Sequence, residues 1–223
     1  GRSSSIEVPM LLKNCKITEE SPDLGIRIVF PCEKNEIFSQ LGKDIKIKMH
    51  YKNMTIRTFC VCSHGDLVKV RYNNLDYYDG HFNENLSSSV NLGILVRSPK
   101  LIGTQAAVDF IKAYQNISKE ILSFDYFSKN YNALAVCDEH REIFEAIVFF
   151  INKLFGTNNL DNSIKVFIPS VDHLNPVIET NSSFETNNHH LFVIGDATGI
   201  SRGFVQSMWS GYCAARSIIK QIK

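Results

Sequence analysis

Apolar residues recur along this chain with two different periods, and the change of period organises it. Over residues 24–30, Leu24-Gly25-Ile26-Arg27-Ile28-Val29-Phe30 alternates and Pro31 closes the run, which predicts a strand. Strand-like segments follow at residues 45–49, 56–61, 66–72 and 91–97. The turn signals His64-Gly65-Asp66 and Asp79-Gly80 lie between them, so an antiparallel sheet with hairpin connections is expected. After Pro99 the period becomes helical. Residues 105–122 carry Ala107, Phe110, Ile111, Tyr114, Ile117 and Ile121 at three- and four-residue spacing. Residues 139–155 predict a second helix, with Gly156 as its C-cap. Residues 164–168 and 191–194 are short apolar runs of the kind a fully buried strand shows. Residues 204–222 predict a last helix, with Met208, Trp209 and Tyr212 on its core face. At the front, Ser3, Ser4 and Ser5 could cap a short helix through Leu12, with Pro9 early in it. A strand, a glycine-containing loop and a helix at the end form an α/β element, unlike the antiparallel middle. Two structural parts are therefore expected within a mixed α+β and α/β fold.

Composition narrows the function classes. The chain has 223 residues, and 24 Lys+Arg against 23 Asp+Glu leave a net charge of +1, which argues against a nucleic-acid partner. A hydrophobic fraction of 44% with 15 Phe and 8 Tyr excludes a disordered chain. The longest apolar stretches, such as residues 146–150, fall far short of the ~20 residues a membrane span needs, so no membrane role is expected. The sequence opens on Gly1 with no leader-like segment, and we expect it to begin inside a longer product. Six cysteines (Cys15, Cys32, Cys60, Cys62, Cys137, Cys213) are scattered without a CxxC pair, which fits reduced, mostly buried thiols of a cytoplasmic protein.

The densest chemistry lies in Leu191-Phe-Val-Ile-Gly195-Asp196-Ala197-Thr-Gly199-Ile-Ser201-Arg202-Gly203-Phe204-Val205-Gln206. Glycines let a backbone approach a ligand closely. A carboxylate at a strand's carboxyl end can accept hydrogen bonds from ligand hydroxyls. The start of the following helix favours an anionic or electron-rich group. A plain glycine-rich turn with a capping Asp would read the same way.

This segment resembles the second flavin-binding motif of FAD-dependent oxidoreductases with a glutathione-reductase-type FAD domain. The resemblance implies that Asp196, flanked by Gly195 and Ala197, binds the ribityl chain. It also implies that backbone groups of Gly203, Phe204 and Val205 lie near the flavin C2 carbonyl. A second stretch, Ile56-Arg57-Thr58-Phe59-Cys60-Val61-Cys62-Ser63-His64-Gly65, resembles the Arg-Thr-Phe-Cys-x-Cys-x-x-Gly signature of the FAD-dependent (NAD/FAD-utilising) dehydrogenases. Gly1-Arg2-Ser3 and Gly25-Ile26-Arg27-Ile28 fit that family as well. By this likeness residues 1–21 leave the FAD domain and residues 22–163 form an inserted, mostly antiparallel α+β substrate domain. Residues 164–223 would return the C-terminal strand, loop and helix of a Rossmann-like FAD domain. The implied activity is hydride transfer through FAD on a small-molecule substrate, the rest of the FAD domain coming from a segment upstream. The alternative is a non-catalytic fragment or subunit that binds no cofactor alone and completes an FAD site with another polypeptide segment.

The chain departs from the family in two places. It contains no G-x-G-x-x-G, and no second nucleotide fingerprint assigns an NAD(P)H site. Where the family has Pro-Gly after the second cysteine, this sequence has Ser63-His64 before Gly65.

Cys60 and Cys62, two apart on a strand, should face the same way. They read either as small thiols on a buried face or as redox or substrate-contacting groups; no companion pair stands at zinc spacing. Arg57 or Arg27, if near a flavin, could pair with a substrate carboxylate, although single strand arginines usually lie on the surface. Arg57, Cys60 and Cys62 are thus the candidates for catalysis. Asp138-Glu139-His140-Arg141 reads as a helix start with a solvated face, and His173, His189 and His190 as loop residues.

Overall fold

The computed structural model describes residues 12, 14–34, 45–72, 74–82, 88–117, 121–156, 160 and 162–222. In chain order its elements are β1 (Ile17–Thr18), β2 (Asp23–Pro31), β3 (Lys48–Tyr51), β4 (Met54–Ser63), β5 (Gly65–Tyr72), β6 (Leu75–Phe82) and β7 (Ser89–Arg97). They continue as α1 (Gly103–Tyr114), β8 (Leu122–Ser123), α2 (Phe124–Leu134), α3 (Asp138–Phe155), β9 (Lys165–Asp172), β10 (Val177–Ile178) and α4 (Phe204–Ile222). The fold is mixed α+β, and every strand pairing in these elements is antiparallel. None of the described helices is long and apolar enough to cross a membrane. The expected helix ahead of Leu12 lies outside the described residues.

Two compact units divide the chain. The larger comprises Pro22–Leu101 and Gln105–Asp172. Its frame is a six-stranded sheet in the order β3-β4-β7-β2-β9-β8. β2 sits between β7 and β9, paired to β7 without interruption from Asp23↔Arg97 to Pro31↔Ser89. One face of β2 presents Leu24, Ile26, Ile28 and Phe30, all buried, and Phe30 meets Phe155 of α3 edge-on at 5.3 Å. The opposite face carries Arg27 and is covered by the β5–β6 hairpin, where Tyr78 packs on Phe167, the residue paired with Arg27. Burial on both faces explains why this strand is almost continuously apolar. Behind the sheet, α1, α2 and α3 share a ring cluster of Phe110, Tyr114, Phe127 and Phe144. Such rings contribute both apolar area and edge-to-face contacts.

Several expectations are corrected here. Asp79-Gly80 lies inside β6 and is no turn. α1 ends at Tyr114, because Gln115 turns aside: its amide accepts from Asp76 N–H at 3.1 Å and donates to Asp76 O at 2.6 Å. Leu122 instead pairs with Val166 in β8. α2 was not expected. Ser123 starts it, its hydroxyl accepting from Tyr126 N–H at 3.2 Å. Strand β9 runs on to Asp172 and pairs with β2, so residues 164–172 belong to this sheet and not with the final segment.

His140 is a further correction, since it is buried in the ring cluster and not on a solvated face. Tyr114, held protonated by burial, can donate its hydroxyl proton to His140 Nδ1 across 3.1 Å. Burial also holds the His140 pKa below its ordinary value, against the opposing pull of Glu139 and Asp109. The unfolded chain therefore takes up this proton first as pH falls. This site costs no stability well above pH ~6.5 and removes stability progressively below it. Urea midpoints measured at neutral pH and near pH 5.5 should fall on acidification, and His140→Phe should flatten that fall. An equal fall in the variant would place the acid sensitivity elsewhere.

The smaller unit comprises Gly1–Ser21, Ile102–Thr104 and His173–Lys223. β1 pairs with β10 (Ile17↔Ile178, Thr18↔Val177), and Gly103 N–H donates to Glu20 O at 2.9 Å. Residues 191–194 do not form the expected buried strand. Phe192 makes a single bridge to Glu185, Val193 N–H donates to Phe184 O, and Ile194 is exposed. α4 has the expected bounds and the opposite facing. Ser210 and Ala214 are its buried residues, whereas Phe204 is 79% and Trp209 62% exposed, together with Val205, Met208, Tyr212, Ile219 and Ile222. A stripe this apolar on the outer side of a helix is unusual for a surface that meets only water.

Candidate functional site

The glycine-rich segment folds as a rigid turn joined to the start of α4. Gly195 (φ 69°) opens a single 3-10 turn, Gly195–Thr198, and Gly199 (φ 78°) closes it in the left-handed region, its N–H donating to Asp196 O. The fully buried Thr198 organises the inside. Its hydroxyl donates to Gly195 O at 2.8 Å and accepts from Ser201 N–H at 2.9 Å and Ile200 N–H at 3.2 Å. Ser210 of α4 accepts from Gly195 N–H at 2.8 Å and donates to Ser207 O, so the turn is tied to the helix it precedes.

Only one of the three glycines is demanded by packing. A Cβ on Gly199 would lie 2.4 Å from Pro176 O; on Gly195 its nearest neighbour would be Ser207 at 3.7 Å, and on Gly203 (φ 96°) the Gln206 side chain. A Cβ on Gly195 would thus meet only ordinary van der Waals contact, and one on Gly203 would press on the end of the Gln206 side chain, 2.9 Å from its Oε1. Asp196 is half-buried, with Asn175 donating to its backbone carbonyl at 3.0 Å and reaching its carboxylate at 3.4 Å. The first hydrogen bond of α4 is Ser207 N–H to Gly203 O, which leaves Phe204 and Val205 in the opening turn ahead of it. There the backbone donors have no intrahelical acceptor. Gly195, Asp196, Ala197, Gly203, Phe204 and Val205 thus belong to one local structure. The turn can offer a carboxylate for hydroxyls and oriented N–H groups for an electron-rich atom.

In the larger unit, Arg57 is committed to carboxylates of its own sheet. Its guanidinium donates to Asp23 and, at 2.7 Å, to Asp172, while Arg97 also holds Asp23 at 2.8 Å. Any substrate carboxylate would have to compete with both aspartates. Cys60 and Cys62 flank a β-bulge, since the register with β7 passes from Phe59↔Gly93 to Cys62↔Asn91, and Cys60 sits at φ 43°. The extra residue breaks the two-residue alternation on which their common facing was predicated. Burial, with Asp79 nearby, pushes the Cys60 thiol up to about 11, so it is no thiolate at neutral pH.

The centre of this region is the residue the sequence placed on the surface. Arg27 is fully buried, donating to Asn91 Oδ1 at 2.8 Å, Asp79 Oδ1 at 3.2 Å and Cys60 O at 2.6 Å. Its one legible signal was an arginine in an otherwise apolar run, opposite an Asp-Gly within β6. The six cysteines are all free, but only Cys62 is buried, which corrects the expectation of mostly buried thiols. His189 and His190 are exposed, as their loop setting suggests. A polar pocket of about 240 Å³ lined by Lys16, Glu179, Asn181 and Glu185 lies in the smaller unit and contains none of the candidate residues. Comparison of the chain with protein-family models, curated proteins and solved structures yields no match.

Proposed function

We propose that this chain is the C-terminal part of an FAD-dependent oxidoreductase of the NAD/FAD-utilising dehydrogenase type. Its final segment would be a piece of a Rossmann-like FAD domain. One observation carries the reading: a half-buried Asp196 stands on a cross-tied glycine turn that opens directly into the first turn of α4. These residues fit the flavin end of FAD, because the turn sets a carboxylate beside backbone N–H donors and its glycines, at positive φ, carry no side chain that would hold a ligand off. A flavin bound there supplies hydride transfer at its N5. The chain's own part is positioning. Asp196 accepts hydrogen bonds from ribityl hydroxyls, and the N–H groups of Phe204 and Val205 donate to a ring carbonyl. Ser210 and Thr198 keep the turn from moving as the ligand arrives. Cys60, protonated and partly buried, and Arg57, already paired, act in this reading as substrate contacts at most.

The outer face of α4 supports the second reading beside the first, in which this chain completes an FAD site with another polypeptide segment. Phe204, Met208, Tyr212 and Ile219 are exposed along it. The product of the intact gene should purify with flavin absorbance, and Asp196→Ala should weaken FAD binding by roughly 10- to 100-fold, as expected for a hydrogen bond to a charged group. Residues 1–223 alone should remain colourless when FAD is added. Trp209, the single tryptophan, should then emit as a solvated indole and shift to the blue when the upstream segment is restored. A full-length product that stays colourless with added FAD would end the flavin reading.

A further inference from the structure

Where β2 ends and the β4–β5 turn begins, a thiol and an imidazole meet. Cys32 Sγ lies 3.4 Å from His64 Nδ1, and both side chains are half-buried. Both backbones are anchored to the start of β7. Cys32 N–H donates to Ser88 O at 3.0 Å, Pro31 pairs with Ser89, and Ser63 pairs with Val90. His64 sits at φ 58°, in the left-handed region that non-glycine residues enter at a cost, and it is the single residue between β4 and β5. The next residue, Gly65, is packed tightly against the same strands, since a Cβ there would come within 2.4 Å of Cys62 Cβ and 2.6 Å of His81 O. The ring is therefore held beside the sulfur by strands on both sides.

We propose that Cys32 and His64 form a nucleophilic dyad that reacts with hydroperoxides, one equivalent per thiol, a reaction that does not rest on the flavin reading. At this distance the imidazole can take the thiol proton, giving a thiolate beside an imidazolium. The thiolate attacks one peroxide oxygen. A sulfur–oxygen bond forms as the oxygen–oxygen bond breaks, and the sulfur loses the two electrons that the peroxide gains. The imidazolium returns its proton to the departing oxygen, leaving a sulfenic acid on Cys32 and one molecule of water or alcohol. Cys60, the thiol at φ 43°, is held protonated by its burial and cannot compete.

The test uses the whole protein with substoichiometric hydrogen peroxide, dimedone to trap sulfenic acid, and peptide mass spectrometry of all six cysteines. Cys15 and Cys213 are half-buried like Cys32 and serve as internal references. Cys32 should label on the order of 100-fold faster than they do, the lower range of a general acid–base contribution. His64→Asn and His64→Gly, both compatible with a left-handed backbone, should bring Cys32 down to the rate of the references. Equal labelling of Cys32 and the references in the wild-type protein overturns the proposal. So does a fast Cys32 that survives both substitutions.

Discussion

Replacing Arg27 by Met should cost about 3–5 kcal/mol, the range found when one partner of a buried ion pair is removed. The side chain is fully buried, and its three oxygen acceptors come from three strands: Asn91 of β7, Asp79 of β6 and the Cys60 carbonyl of β4, with Cys62 Sγ at 3.9 Å beside them. Methionine matches the length of the stem but removes the guanidinium from Asp79, Asn91 Oδ1 and the Cys60 carbonyl at once. Burial works against the charge on Arg27, and Asp79 works to keep it. The loss should therefore reflect a buried carboxylate deprived of this cation more than lost packing. For a domain of this size, a denaturation midpoint lower by about 10 °C is expected. Arg27→Met combined with Asp79→Asn should recover part of the loss, because the second change removes the buried charge. A double variant no better than the single one would show that the pair contributes through shape alone.

The second large effect is expected at Gly80. A Cβ there would stand 1.8 Å from Arg27 Nη2 and 2.4 Å from Asn91 Oδ1. The guanidinium is no free end that could swing aside, since it is fixed by three acceptors. Gly80→Ala should thus cost about 2–3 kcal/mol, as overpacking of a filled interior does. The diagnostic measurement is the cycle. In an Arg27→Met background the nearest obstacle is gone while Asn91 Oδ1 remains, and Gly80→Ala should cost measurably less in urea denaturation. Equal costs in the two backgrounds would mean that the glycine serves the strand backbone and not the arginine.

These two residues also show where the sequence was legible. The apolar alternation of residues 24–30 located β2 because both periodicity and Pro31 spoke for it, and α3 and α4 were bounded by Gly156 and by the turn at Gly203. Those signals are local. What failed depended on partners distant in sequence. Asp79-Gly80 resembles a hairpin turn until one knows that the missing Cβ makes room for a guanidinium 53 residues earlier. α1 stops early because of an amide bonded to Asp76, and His140 is buried because Tyr114 waits for it. The candidate site divides in the same way. The Gly195–Val205 turn was readable from its glycines, whereas the ties through Thr198 and Ser210 depend on a helix face that periodicity assigned backwards. Apolar residues at helical spacing say that one side will be covered, and not by what.

The larger unit runs from Pro22 to Asp172 apart from residues 102–104, and near its two ends Asp23 and Asp172 stand directly opposite one another on β2 and β9. Entry and departure are thus separated by a single interstrand step of about 5 Å. A host backbone interrupted to receive such a unit could resume its course almost where it left off. The chain can thus build a whole sheet and come back to within one strand spacing of where it set out.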